Sequence, residues 1–180
     1  MKSRVIISSL IILLTVMING CGYTISQYGA SITNVESLRL VHTKVKVNDF
    51  SSSTPGLSSI TCRAAGPIET PNKEPFEQYI KEAFVVELKL AGIYSEDAQL
   101  VLNGHLEKVD FNSNIGAGKW MFTIKMTSNK NESVVISSSY EFSTNWVADK
   151  ACQQVAQAFT PAVQKLIHDI VTNPDFGKLL

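Results

Sequence analysis

The first twenty-one residues constrain this chain most, because nearly all of them withdraw from whatever it folds into. Lys2 and Arg4 form a short positive n-region, Val5 to Ile18 is an almost unbroken apolar run, and the small residue Gly20 stands just before Cys21. A charged start, an apolar stretch and a small residue at a cleavage point make a secretory signal, residues 1–20. The apolar run is about fourteen residues, short of the roughly twenty that a helix needs to cross a bilayer, so a permanent span is not expected. Cleavage leaves about 160 residues, a length that suits one domain with a self-sufficient core.

Ile18-Asn19-Gly20-Cys21 resembles the lipobox of bacterial lipoprotein precursors, with an aliphatic residue three before the cysteine and a small one directly before it. Ile18 and Gly20 fit, and Asn19 is bulkier and more polar than the usual occupant. The resemblance implies that Cys21 becomes the first mature residue and carries acyl groups, palmitate among them, on its sulfur and amine. Two or more acyl chains anchor a protein durably where one binds only marginally. It also implies a periplasm-facing membrane surface. Gly22 stands where Asp favours inner-membrane retention in Gram-negative lipoproteins, which directs the expectation to the outer membrane.

Lys2 and Arg4 are the only charges lost with the signal, leaving 14 basic against 16 acidic side chains. That balance offers nothing to a nucleic acid and little steering towards a polyanion. With Cys21 taken by lipid, Cys62 and Cys152 remain, and an even count in an exported chain reads as a disulfide. The competing readings are two separately buried thiols or a metal pair, and no His or second Cys stands at ligand spacing. Without a C-x-x-C arrangement, the pair reads as a staple rather than a redox centre.

Residues 21–38 are polar and rich in Ser, Thr and Gly, with no clear period, and are expected to form the lipidated N-terminus and a flexible tether, part of which could instead make a first strand. Residues 39–180 are expected to form a single α+β domain. Val41, Thr43, Val45 and Val47 alternate with polar residues as a half-buried strand does. Asn48 to Pro75 is so rich in Pro, Gly and Ser that it reads as a long loop. Cys62 lies in its middle, so a staple to Cys152 would make it an ordered surface feature and a candidate contact site.

From Pro75 the period changes: Phe76, Tyr79, Ile80, Ala83, Phe84 and Leu88 recur at helical spacing, and Gly92 suits the left-handed residue past the end. Alternation then marks strands from about Ala98 to Phe111, through Trp120, Phe122, Ile124 and Met126, and through Val134, Ile136, Ser138, Tyr140 and Phe142. Short turns make these three antiparallel neighbours. Asp149 to Val171 is a second helix in which Pro161 either kinks the chain or starts a new segment. Asn173-Pro174 stops it. Phe176, Leu179 and Leu180 then either dock on the body or hang free.

The order β-α-β-β-β-α predicts an α+β domain, a mainly antiparallel four-stranded sheet with two helices on one face. The lipobox, this order, Leu102-Asn103-Gly104-His105-Leu106 in mid-strand, and a helix ending before Asn173-Pro174-Asp175-Phe176 resemble the small YajG-like and assembly-accessory lipoproteins of Gram-negative envelopes. The tether, the stapled loop, the exposed sheet face and the lack of a catalytic constellation point to a non-enzymatic subunit of an envelope assembly or transport complex, acting by contact with a protein partner. The polar strand positions around His42, Lys44, His105, Glu107 and Lys125 are its expected contact face. The alternative is a carrier of a lipid or small apolar ligand in a pocket walled by the aromatic helix faces and by Trp120, Phe122 and Phe142.

No catalytic, cofactor or metal constellation emerges. Gly116-Ala117-Gly118-Lys119-Trp120 departs from a phosphate loop, because Trp120 stands where Ser or Thr holds Mg²⁺, and it reads as a hairpin loop. No G-x-S-x-G elbow or H-E-x-x-H helix is present.

Overall fold

The computed structural model describes residues 22–180; Cys21 and the signal lie outside them. In chain order the elements are β1 (Tyr23–Thr24), α1 (Ile32–Arg39), β2 (Val45–Val47), β3 (Ser51–Ser52), β4 (Ser59–Cys62), β5 (Gly66–Glu69) and a 3-10 turn, Pro71–Lys73. Then follow α2 (Phe76–Leu90), β6 (Leu100–Asn112), β7 (Gly118–Ser128), β8 (Ser133–Phe142), α3 (Ala148–Val171) and α4 (Phe176–Leu179).

The α+β class is as expected, but the sheet is neither four-stranded nor wholly antiparallel. β6, β7 and β8 form the antiparallel meander, and β2 and β3 both add to the far side of β6 in parallel. β1, β5 and β4 make a separate three-stranded sheet, with β1 parallel to β5. Between β2 and β3 the pairing with β6 slips by one residue, from Val47 opposite Leu102 to Ser51 opposite His105. Phe50 uses that irregularity to turn its ring across Gly104, where a Cβ would lie 2.7 Å from the ring. The mid-strand glycine is therefore the seat of an aromatic ring.

The inward face of the meander and the apolar stripes of α2 and α3 build one core. Trp120 is its centre: its ring lies 4.8 Å from that of Phe159 and 4.9 Å from that of Phe111, and its Nε1 donates to the Val155 carbonyl at 2.9 Å. Gly92 takes the left-handed conformation just past α2, as its position predicts. α3 runs unbroken through Pro161. Phe176 and Leu179 are buried, so the C-terminal tail is docked beside β8.

Two expectations are corrected. Residues 22–38 are not a tether: Tyr23 pairs with Ile68, and Ile25, Val35 and Leu38 enter the core. Polar residues do much of the docking. The Glu87 carboxylate, wholly buried on α2, accepts from the Ser31 N–H at 2.9 Å, from Asn34 at 3.4 Å and from the Tyr28 hydroxyl. Asn34 also donates to the Gln164 carbonyl on α3 at 2.9 Å. A helix whose inner face carries an asparagine shows no clean apolar period.

Nor is 48–75 a bare loop, since it holds β3, β4 and β5 and buries Cys62 and Ile68. The disulfide joins Cys62 to Cys152, with Cα atoms 5.8 Å apart, and fastens this segment to α3. The Phe76 N–H donates to the Leu57 carbonyl and the Gly56 N–H to Glu77, both at 2.9 Å, so the start of α2 holds the segment's other side.

Candidate contact surfaces

The helices cover one face of the large sheet and leave the other to solvent. Across that open face His105 stands opposite Lys125, and Lys125 opposite Val135, whose side chain is 54% exposed. His105 is held by two hydroxyls, Ser51 Oγ at 2.8 Å from Nδ1 and Ser53 Oγ at 3.2 Å from Nε2. Glu107 sits at a bulge, where the register shifts between Leu106 and Lys108, and is exposed.

His42 and Lys44 do not join this face. The predicted strand shortens to Val45–Val47 because Val41 is still closing α1, its N–H bonded to the Leu38 carbonyl, while Lys44 Nζ bonds the Gly92 carbonyl. His168 lies on α3 with Nδ1 3.2 Å from Asn34 Oδ1. The three histidines thus serve three separate places, and among the described residues no group of His, Cys, Asp and Glu could hold a metal.

The outer edge of the sheet is β8. It pairs with β7 through ten residues without a bulge, and among the described residues no strand pairs with its other side. Ser133 to Tyr140 contains no charge and no proline. Long, regular, uncharged edges are what proteins ordinarily break with Lys, Pro or bulges, because an open row of N–H and C=O groups templates another strand.

The residues expected to wall an apolar pocket instead fill a core. Trp120 and Phe122 are buried, with the Trp120, Phe122 and Phe159 rings at mutual centroid separations of 4.8–6.1 Å. Phe142 leans on Gly118, where a Cβ would fall 2.5 Å from its ring. Close packing of this kind leaves no space for a ligand. The Gly116 to Gly118 stretch is a hairpin loop: Gly116 takes a positive φ, and the Ala117 N–H bonds the Asn114 carbonyl at 3.2 Å.

Sequence reasoning missed a third group. Arg63, at the tip between β4 and β5, reaches across to two loops, bonding Ser113 Oγ at 3.1 Å and the Ser113 carbonyl on one, and the Asn145 and Trp146 carbonyls at 3.2 and 3.3 Å on the other. Those loops carry Ile115 and Trp146, 74% and 76% exposed. A tryptophan in a polar Ser-Thr-Asn-Trp stretch, outside any period, was the one available signal.

No family model matches this sequence, and no curated protein matches it. Its fold does have likenesses among solved structures. Protein XCC0632 from Xanthomonas campestris, of the DUF330 family, aligns over 89% of this chain and 100% of its own, with a TM-score of 0.56 at 8% identity. Hypothetical protein CT253 from Chlamydia trachomatis aligns over 73% of this chain and 94% of its own, with a TM-score of 0.42 at 8% identity. A neuraminyllactose-binding hemagglutinin homolog from Helicobacter pylori aligns over 76% and 87%, with a TM-score of 0.35 at 10% identity. The first shows a shared fold, which hosts no function by itself, and the other two are too distant to argue from. Among the described residues no helix is long and apolar enough to cross a membrane.

Proposed function

We propose that this chain is a non-enzymatic lipoprotein, anchored through acylated Cys21 on the periplasmic face of the outer membrane, where it serves an assembly or transport complex by binding another protein. The observation that carries the partner-binding part is the open β8 edge beside an uncovered sheet face. An extended partner segment can add there as a further strand, with backbone hydrogen bonds giving affinity and the row of Val135, Ser137 and Ser139 giving side-chain fit. The anchor rests on the lipobox-like Ile18 to Cys21. A ligand-carrier role loses its basis with the aromatic pocket filled.

The test is crosslinking in native membranes through a photoreactive residue at Ser137, an exposed position in mid-strand. A discrete adduct is expected, and it should vanish in Val135→Lys, which sets a charge beside the edge without touching the core. Recovery of the uncrosslinked protein alone would sink the reading, and an adduct of twice the chain's mass would replace a foreign partner by a second copy.

A further inference from the structure

The chain's start, the β4–β5 tip and the two loops that Arg63 bridges all meet at one pole. β1 runs parallel to β5 with Tyr23 opposite Ile68, so Gly22 lies beside the beginning of β5, its would-be Cβ 3.6 Å from the Pro67 side chain. The Tyr23 hydroxyl donates to Asp149 Oδ1 at 2.7 Å, which sets the same start against the first turn of α3, three residues after Trp146. The two loops are themselves joined, the Gly116 N–H bonding the Thr144 carbonyl at 3.3 Å and the Thr144 hydroxyl bonding the Asn114 carbonyl.

The tip that presents Arg63 is costly. The Ala65 N–H bonds the Cys62 carbonyl at 3.0 Å, and both central residues, Arg63 and Ala64, have positive φ, of 45° and 22°. Such turns favour Asn and Gly, and a non-glycine residue held there is maintained by its surroundings. Here the surroundings are the disulfide at Cys62 and the bonds of Arg63 itself. The fold thus spends strain to hold rigid two loops whose only large side chains, Ile115 and Trp146, point into solvent. Neither touches the core, so packing does not explain them.

We infer that this pole is a membrane-docking face, on which Trp146 and Ile115 enter the headgroup region of the bilayer that holds the protein. The inference rests on the proposed anchor at Cys21. Gly22, the first residue described, lies at this pole, and one peptide link, about 3.8 Å between Cα atoms, separates it from Cys21. Tryptophan is the side chain that best suits a bilayer interface, with an apolar body and an N–H that stays wet. Arg63 and exposed Lys150 are matched at the same end by Asp149 and Glu69, so the docking rests on apolar contact and not on charge. With no tether, the protein stands directly on the lipid, and two apolar side chains beside the anchor fix its orientation.

The chain has two tryptophans, and Trp120 is wholly buried, so Trp146 alone can report a change of medium. The protein is purified from membranes, its intact mass read, and the sample reconstituted in vesicles of phosphatidylethanolamine and phosphatidylglycerol with brominated acyl chains. The expected result is a blue-shifted emission quenched by bromolipid. Trp146→Phe should lose the quenching, and Arg63→Gly, which suits the turn but frees the loops, should weaken it. Trp146 left open to aqueous acrylamide and untouched by bromolipid would overturn the inference, as would protection that appears only when an envelope protein is added. Acyl groups missing from the mass refute the anchor separately. In that case Cys21, the one thiol outside the disulfide, is coupled to a maleimide lipid, and the quenching still decides whether the pole docks.

Discussion

Glu87 shows how one residue ties the start of the chain to its helices. Its Oε1 gathers the Ser31, Asn34 and Tyr28 donors, while Oε2 has no partner. Burial raises the carboxyl above its ordinary value, and the hydrogen bonds from Tyr28, Ser31 and Asn34, with His168 nearby, only partly offset this. The same burial, reinforced by the Glu87 bond, pushes the Tyr28 hydroxyl far up. A carboxyl with a raised folded pKa binds more protons folded than unfolded, so stability falls as pH rises from its unfolded value, about 4.3, through the raised folded one. Glu87→Gln keeps an acceptor and removes the charge. Urea midpoints across that window should fall for the wild type relative to the variant, and a constant difference would show that Glu87 does not titrate there. Gly104 makes a second case. A methyl group there meets the Phe50 ring at 2.7 Å, and Gly104→Ala is expected to cost about 1–3 kcal/mol by overpacking. If the clash is the cause, adding Phe50→Ala should make the pair less costly than the two single changes summed.

At the scale of elements, the disulfide does more than join two strands' worth of chain. Cys62 closes the tip from which Arg63 reaches Ser113 and Trp146, and Cys152 lies one turn into α3. Replacing both cysteines by alanine should cost roughly 2–5 kcal/mol. It should also raise hydrogen exchange at 113–116 and 144–146 ahead of the meander, because those loops lose the fixed end of their bridge. Uniform exchange over the whole chain would show the staple to be purely global. The elements that sequence made legible are those long enough to repeat their period: β6, β7 and β8 at ten to thirteen residues, α2 at fifteen and α3 at twenty-four. β1 and β3 have two residues each, too few for alternation to register, and their partners lie far away in the chain. α1 was hidden because Asn34 replaces an apolar residue on its inner face. Of the candidate surface, His105 and Lys125 were legible as polar strand positions. Arg63, Ile115 and Trp146 were not, since only the folding of three distant loops onto one pole brings them together.

For the whole molecule the decisive matter is where the fold begins. A flexible leader of seventeen residues would let the domain hover and turn above a membrane, whereas a body that starts at Gly22 is fixed to whatever holds Cys21. The two pictures separate under truncation. A chain begun at Val41 loses β1 and α1, and with them Ile25, Val35 and Leu38, each 7% exposed or less. Buried side chains of this size contribute about 1.5–3 kcal/mol each, so some 5–9 kcal/mol of burial is removed, comparable with the 5–15 kcal/mol that keeps a domain folded. The loss also strips Glu87 of its hydrogen-bond donors Tyr28, Ser31 and Asn34, which all leave together and uncover its carboxyl. The truncated chain is therefore expected to lose its cooperative urea transition, or to keep it at a much lower midpoint. An unchanged midpoint would return residues 22–40 to the role of a tether, and with it would go the reason for the domain to rest one particular pole on the bilayer.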